Sequence, residues 1–210
     1  MEFYKFKSLK PFKYASDIIM NERLYCANYG KLNDPFEGLF FVIIRDGAFS
    51  SAFDDGFDVQ EKRCKKIFEP FKICSLSKEL SDVKMWSFYA NDHKGIAIEI
   101  DFTGRESEPL EVSYLPALPE YNLAHPNPAD ILTKKTKQWC YETEYRIIQE
   151  SEYFSIKGRI KAIYLGQRIS NLNLKKLNQI IPSTIPIFTT KLDTDEIKIK
   201  RDKLFNRKTN

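Results

Sequence analysis

Strict alternation of apolar and polar residues alternates along this chain with apolar residues at helical spacing. EFYKFK alternates and predicts a first strand, apolar positions from Tyr14 to Asn21 predict an amphipathic helix, and Leu24 to Ala27 predicts a short strand. The opening therefore reads β-α-β. LNDPFEG then interrupts regular structure, because Asn-Asp before Pro favours a turn and Pro35 holds Asp34 out of the helical region. Beyond it we expect a strand near Leu39 to Ile44, a mobile loop from Gly47 to Gly56, and a helix from Val59 to Phe68 with its basic residues outward.

FKICSLS reads as a strand, DVKMWSFYAN as a helix capped by Asp82, and GIAIEID as a strand again. The stretch from Pro109 to Pro128 reads as loop or edge strand, Ala129 to Trp139 as a helix, and YETEYRII as a strand. Ile160 to Leu165 is a further strand, Asn171 to Ile181 a helix stopped by Pro182, and Ile185 to Thr190 and Glu196 to Lys200 alternate. No internal repeat or low-complexity linker divides the chain. A single α+β domain over residues 1–204 with a frayed tail over 205–210 is the expected organisation, and 210 residues suffice for one sizeable core.

Composition refines this picture. Sixteen Phe and 11 Tyr against 8 Gly point to aromatic-rich sheets. A net charge of +4 is too mild to read as a nucleic-acid footprint, so charge does not name a partner. Cys26, Cys64, Cys74 and Cys140 form no CxxC pair and have no histidine at ligand spacing, so they read as small core residues rather than as zinc ligands. The opening MEFYKFKSLKPF lacks the apolar core of a signal peptide, and no run approaches the roughly 18 apolar residues of a membrane span. A reduced, cytoplasmic protein is expected.

The chemistry concentrates in WCYETEYRII. On a strand, a period of two places Glu142, Glu144 and Arg146 on one face, opposite Tyr141, Thr143, Tyr145 and Ile147. Two carboxylates and a guanidinium on one patch beside Trp139 and Tyr141 read as a site. The same pattern also fits a solvated face carrying a cross-strand ion pair. His93 and His125 sit in a polar loop and a Pro-rich stretch, which disfavours a histidine-driven nucleophile.

Taken in order, YKFK, LNDPFE, SLSK, MWSFYANDHKG and WCYETEYR resemble the motifs of the bacterial family catalogued as domain of unknown function 2971, over roughly Phe3 to Gly166. The chain also resembles ADP-ribosyltransferases. Those enzymes carry a basic residue on an early strand, a Ser-x-Ser segment on a middle strand and a Glu-x-Glu on a later one. Lys5 or Lys7, Ser75-Leu76-Ser77 and Glu142-Thr143-Glu144 stand in those places, although no arginine stands in the first strand.

The second resemblance implies two small, mostly antiparallel sheets in a split arrangement flanked by helices, NAD as substrate, and a role in phage defence or a toxin system with a partner protein. Glu144 would then stabilise the oxocarbenium-like state and hold a ribose hydroxyl, and Glu142 would orient or deprotonate the acceptor, a protein or a nucleic acid. Arg146 and Lys5 would neutralise the pyrophosphate, Trp86 or Tyr89 would stack on nicotinamide or adenine, and Asn33, Asp34 and Ser77 would line the site.

Other readings compete. Asp34, Glu37, Glu99, Glu142 and Glu144 offer oxygen ligands for Mg²⁺ in a nuclease, with Lys94 or Lys5 facing the scissile phosphate. The basic stretches at Lys62 to Lys66, Lys134 to Lys137 and Lys198 to Lys203 suit a non-catalytic module that binds nucleic acid or a partner protein, and equally suit solvated faces. Trp86, Phe88 and Tyr89 fit a core stripe, Ser75 and Ser77 fit backbone bonding, and Asn33 or Asp34 fits an Asx-turn.

Overall fold

In the computed structural model, which describes residues 1–42, 66–104, 108–121 and 127–207, Ile96, Ala97, Ile98 and Ile100 are all buried. A strand with no wet side must run through the middle of a sheet covered on both faces. This strand, β6 (Ile96–Asp101), pairs antiparallel with β1 (Glu2–Lys7) from Glu2↔Asp101 to Lys7↔Ile96, and on its other edge with β13 (Ile160–Leu165). Helices α1 (Lys13–Asn21) and α4 (Asn171–Ile180) cover one face, packing Ile18, Ile19 and Leu177 on Ile96, Ile98 and Ile100. Helix α2 (Val83–Phe88) covers the other, with Met85 and Trp86 against Phe6 and Ala97. Asp82 caps α2 as expected, accepting from the amides of Lys84 and Met85.

Beyond β13 the sheet continues through β14 (Ile187–Asp193) and β15 (Lys198–Leu204). On the other side it continues through β5 (Lys72–Ser77), β11 (Glu144–Gln149) and β7 (Leu110–Glu111). The join between the two halves is narrow. Tyr4↔Ser77 is the register pair between β1 and β5, and the far end of the same β5 edge is taken by β3 (Ala27–Asn28) through Ala27↔Ile73 and Asn28↔Lys72. From Tyr4 onward β1 and β5 part, and a cleft opens between them.

The α+β class holds, but the described strands form one nine-stranded sheet rather than two small ones. Three two-stranded pairs accompany it: β2 (Arg23–Tyr25) with β12 (Tyr153–Ser155), β4 (Phe41–Val42) with β9 (Glu120–Tyr121), and β8 (Ser113–Leu115) with β10 (Lys134–Thr136). Within the large sheet β13 and β14 run parallel and the other pairs antiparallel.

Two expected elements differ around the carboxylates. The helix from Ala129 to Trp139 stops early: α3 spans Pro128–Leu132, and the next residues extend as β10 to pair in parallel with β8. The strand over YETEYRII begins only at Glu144. A 3₁₀ turn covers Lys137–Glu142, and Thr143, at φ 39°, reverses the chain into β11. Glu142 therefore does not share a strand face with Glu144 and Arg146.

The C-terminal end is tied down through residue 207. Phe205 donates its amide to Ile187 O and packs on the main core, and Arg207 donates to the carbonyls of Ile181 and Pro182 at 2.8 and 3.1 Å. The expected loop from Gly47 to Gly56, the outer part of the Leu39 to Ile44 strand and most of the Val59 to Phe68 helix lie outside the described residues. Residues 66–68 are helical. Among the described residues no helix is long and apolar enough to cross a membrane.

Candidate functional site

The register of β11 on β5 sets Glu144 beside Ser77 and Arg146 beside Ser75, so these four residues share one face of the sheet. Over that face lies β10, whose middle residue, Lys135, points inward and is only 6% exposed. A lysine this deep needs partners for its charge. Lys135 Nζ donates to Glu142 Oε2, to Glu144 Oε2 at 3.1 Å and to Asn33 Oδ1 at 3.2 Å. Arg146, fully buried, is equally satisfied. Its Nε and Nη2 bind Glu144 at 2.8 and 3.1 Å, Nη1 and Nη2 bind Glu37 at 2.5 and 2.9 Å, and Nη1 also reaches Leu132 O. All five guanidinium N–H groups are thereby used.

Glu142 arrives from the 3₁₀ turn, held in place by its own carbonyl, which accepts from Ser77 Oγ at 2.8 Å. Its Oε1 accepts from the Tyr89 hydroxyl and from Asn33 Nδ2 at 3.3 Å, and the Tyr89 hydroxyl accepts in turn from Asn33. The LNDPFE turn sets Asn33. Asp34 anchors that turn, accepting from Phe36 N at 2.9 Å and from the amide and hydroxyl of Thr136 at 3.2 and 3.1 Å. Glu144 is fixed at its backbone as well, donating its amide to the Tyr114 hydroxyl at 2.8 Å.

Electrostatics separate the carboxylates. Burial pushes Glu144 up, but the charges of Arg146 and Lys135 and hydrogen bonds from Arg146 and Ser75 overcome it and hold its pKa down at about 2. Burial holds Glu37 above the ordinary carboxylate value in spite of Arg146. Burial works against the charge of Arg146, yet Glu144 and Glu37 keep its pKa above that of a free arginine. Burial, and then the bond to Glu142, raises the Tyr89 hydroxyl. The cluster gathers three carboxylates around two cations, and two of the carboxylates, Glu142 and Glu144, reach the wall of a cavity of about 250 Å³ that Lys5, Lys31 and Lys135 also line.

Lys5, Asn33, Ser77, Tyr89, Glu142 and Glu144 all line that cavity, so six of the sequence candidates converge. The other three do not serve as expected. Trp86 is fully buried, its ring edge-on to Phe6 and stacked on His93, with Nε1 donating to Leu80 O at 2.7 Å; no face remains for a nicotinamide or adenine ring. Arg146 has no N–H left for a pyrophosphate. Asp34, 3% exposed, is spent on the turn and on Thr136. Ser77 lies on the wall, but its hydroxyl is engaged with Glu142 O and the Glu79 backbone.

Lys135, Tyr114 and the Glu37–Arg146 pair are the parts that sequence reasoning missed. Lys135 sits in KKTK, where nothing local separates a buried lysine from a solvated one. It also bears on the Mg²⁺ reading, because an ammonium stands between Glu142 and Glu144 where a cation would bind. Among the described residues no group of three or more His, Cys, Asp or Glu is arranged to hold a metal ion. Of the basic stretches, Lys62 to Lys65 lie outside the described residues. In the last stretch, Lys198 and Lys200 pair with Glu196 and Asp193, which weakens that run as a phosphate footing. Cys26 and Cys74 are buried as expected, whereas Cys140 is exposed.

No family model, no curated protein and no solved structure matches this chain.

Proposed function

We propose that the chain is an ADP-ribosyltransferase-like enzyme that uses NAD, with Glu142 as the carboxylate nearest the reacting ribose. The observation that carries this reading is a pair of buried carboxylates, Glu142 and Glu144, fixed at the wall of the cavity beside the split between β1 and β5. When the C1′–N bond of NAD breaks, its electron pair leaves with nicotinamide and the ribose gains oxocarbenium character. Fixed negative charge at that point lowers the barrier without reorganising. An acceptor oxygen or nitrogen then attacks C1′ and gives up its proton to a carboxylate.

Glu142 suits this role better than Glu144. Both carboxylates have donors on each oxygen, but Glu144 is held by two cations, Arg146 and Lys135, and its pKa of about 2 makes it a poor base, whereas Lys135 is the one cation bonded to Glu142 among the described residues. Glu142 is positioned by Tyr89 and Asn33, both at the cavity wall. Lys135 and Arg146 act as positioning residues, locking the two carboxylates in place.

The test is titration of NAD into wild type and Glu142→Gln, with nicotinamide release measured on the same samples. The reading expects binding to both and release from the wild type alone. Absence of binding and of release would overturn it. A second reading, a non-catalytic module that binds nucleic acid or a partner, is favoured by one observation: the cluster satisfies nearly all its own hydrogen-bonding groups, as a purely structural polar core would. A salt-dependent gel shift without NAD turnover would support that reading.

A further inference from the structure

The larger of the two cavities at the split is not the one beside Glu142. A space of about 750 Å³ opens between β1, α1 and β5, and the two cavities share Lys5, Leu32 and Ser75 as a common wall. Three lysines line the larger one: Lys5 and Lys7, two apart on one face of β1, and Lys13 at the start of α1. Lys5 Nζ donates to Ser75 O at 2.6 Å, across the gap between the strands. Lys7 and Lys13 both hang over the Tyr14 ring, at 5.6 and 5.2 Å from its centroid.

The charge on this wall lacks a balance. Asp17 is the acid among its lining residues, and Arg23 already holds it, with Nε at 3.2 Å and Nη2 at 2.8 Å. Among the described residues no carboxylate forms an ion pair with Lys5, Lys7 or Lys13 within 4.0 Å. Burial, and then the charge of Lys5, holds the Lys7 ammonium down at about 8, against a smaller opposing contribution from Cys74. Beside the lysines stand three partly exposed tyrosines, Tyr14, Tyr25 and Tyr153, at 52%, 45% and 41%; Lys7 and Lys13 lie over Tyr14 and Arg23 over Tyr153 at 3.8 Å, while among the described residues no cation lies over Tyr25, whose ring meets Tyr153 at 5.8 Å. Clustered ammonium groups recognise phosphate oxygens, and exposed aromatic faces recognise a planar base.

We propose that this cavity is a binding site for a nucleoside diphosphate, with the two phosphates on Lys5, Lys7 and Lys13 and the base against Tyr25. Its size fits a ligand of that class. The site does not require the NAD reading, since ADP has the phosphates and the base but no nicotinamide bond to cleave, although NAD carries the same diphosphate and Lys5 lines both cavities.

The experiment is calorimetric titration of ADP, AMP and adenosine into the full chain, and into Lys7→Gln and the Lys7→Gln/Lys13→Gln double variant. Thermal melts verify that each variant is folded. ADP is expected to bind, adenosine to bind at least about tenfold more weakly, and each lost lysine to weaken ADP about tenfold, the effect of one charge-assisted contact. No binding of ADP at about 1 mM, or equal affinity for the wild type and a folded double variant, would overturn the proposal. Glu142→Gln should retain its ADP affinity. Loss of nicotinamide release with ADP binding intact concerns the transferase reading alone, and the converse result concerns this site alone.

Discussion

Arg146 and Glu37 meet end to end inside the protein, Nη1 to Oε1 at 2.5 Å and Nη2 to Oε2 at 2.9 Å, although 109 residues separate them in sequence. This pair ties the LNDPFE turn to β11 and so fixes the floor beneath Glu144. Glu37→Gln leaves Arg146 paired with Glu144 but takes the charge from two buried hydrogen bonds, which costs about 1.5–3 kcal/mol. Glu37→Gln should therefore lower stability by that order in urea unfolding. A loss within about 1 kcal/mol, the range of an exposed pair, would show that the bond contributes little.

Acid should act on stability through Glu144. Its folded-state pKa of about 2 lies below the ordinary value of 4.5, so the unfolded chain takes up the proton more readily. The corresponding stability, about 3 kcal/mol, is complete above about pH 5 and is lost as pH falls toward 2. Glu37 runs the other way: its raised pKa means that protonation on the way down relieves a penalty. Urea midpoints from neutral pH to pH 2.5 should decline more steeply in the wild type than in Glu144→Gln. Parallel declines would remove Glu144 as the source.

Much of this architecture was legible because its signals are local. EFYKFK, FKICSLS, GIAIEID and IKAIYL carry their periodicity within six or seven residues, and Asp82 stands one residue before its helix. The convergence of Asn33, Tyr89, Glu142 and Glu144 was legible as a group of unusual residues. Their roles were not. Arg146 reads as a free cation until Glu37 is found folded against it, and Lys135 reads as one of several surface lysines until β10 pairs with β8 and turns it inward. Both depend on distant pairing, which no window of sequence contains.

Asp34 should matter for stability more than for chemistry. Its side chain accepts from Phe36 N, Thr136 N and Thr136 Oγ1, and Asp34→Ala leaves those donors unpaired in a part-buried setting. The expected loss is about 1–3 kcal/mol. Asn, which keeps one acceptor oxygen, should recover part of it. An unchanged midpoint for Asp34→Ala would mean that the turn holds without its anchor.

Tyr89→Phe separates positioning from packing at the cavity wall. The substitution keeps the ring and deletes the hydroxyl that donates to Glu142 and accepts from Asn33. Stability should change by no more than about 1.5 kcal/mol, the scale of one hydrogen bond. Under the transferase reading, Glu142 then loses one of the contacts that hold it toward the ribose, an effect felt more in the transition state than in the bound substrate. Nicotinamide release should slow about tenfold in kcat with KM for NAD nearly unchanged. A rise in KM at constant kcat would instead make Tyr89 a wall of the binding site, and Glu142 would have to be oriented by Lys135 and Asn33 alone.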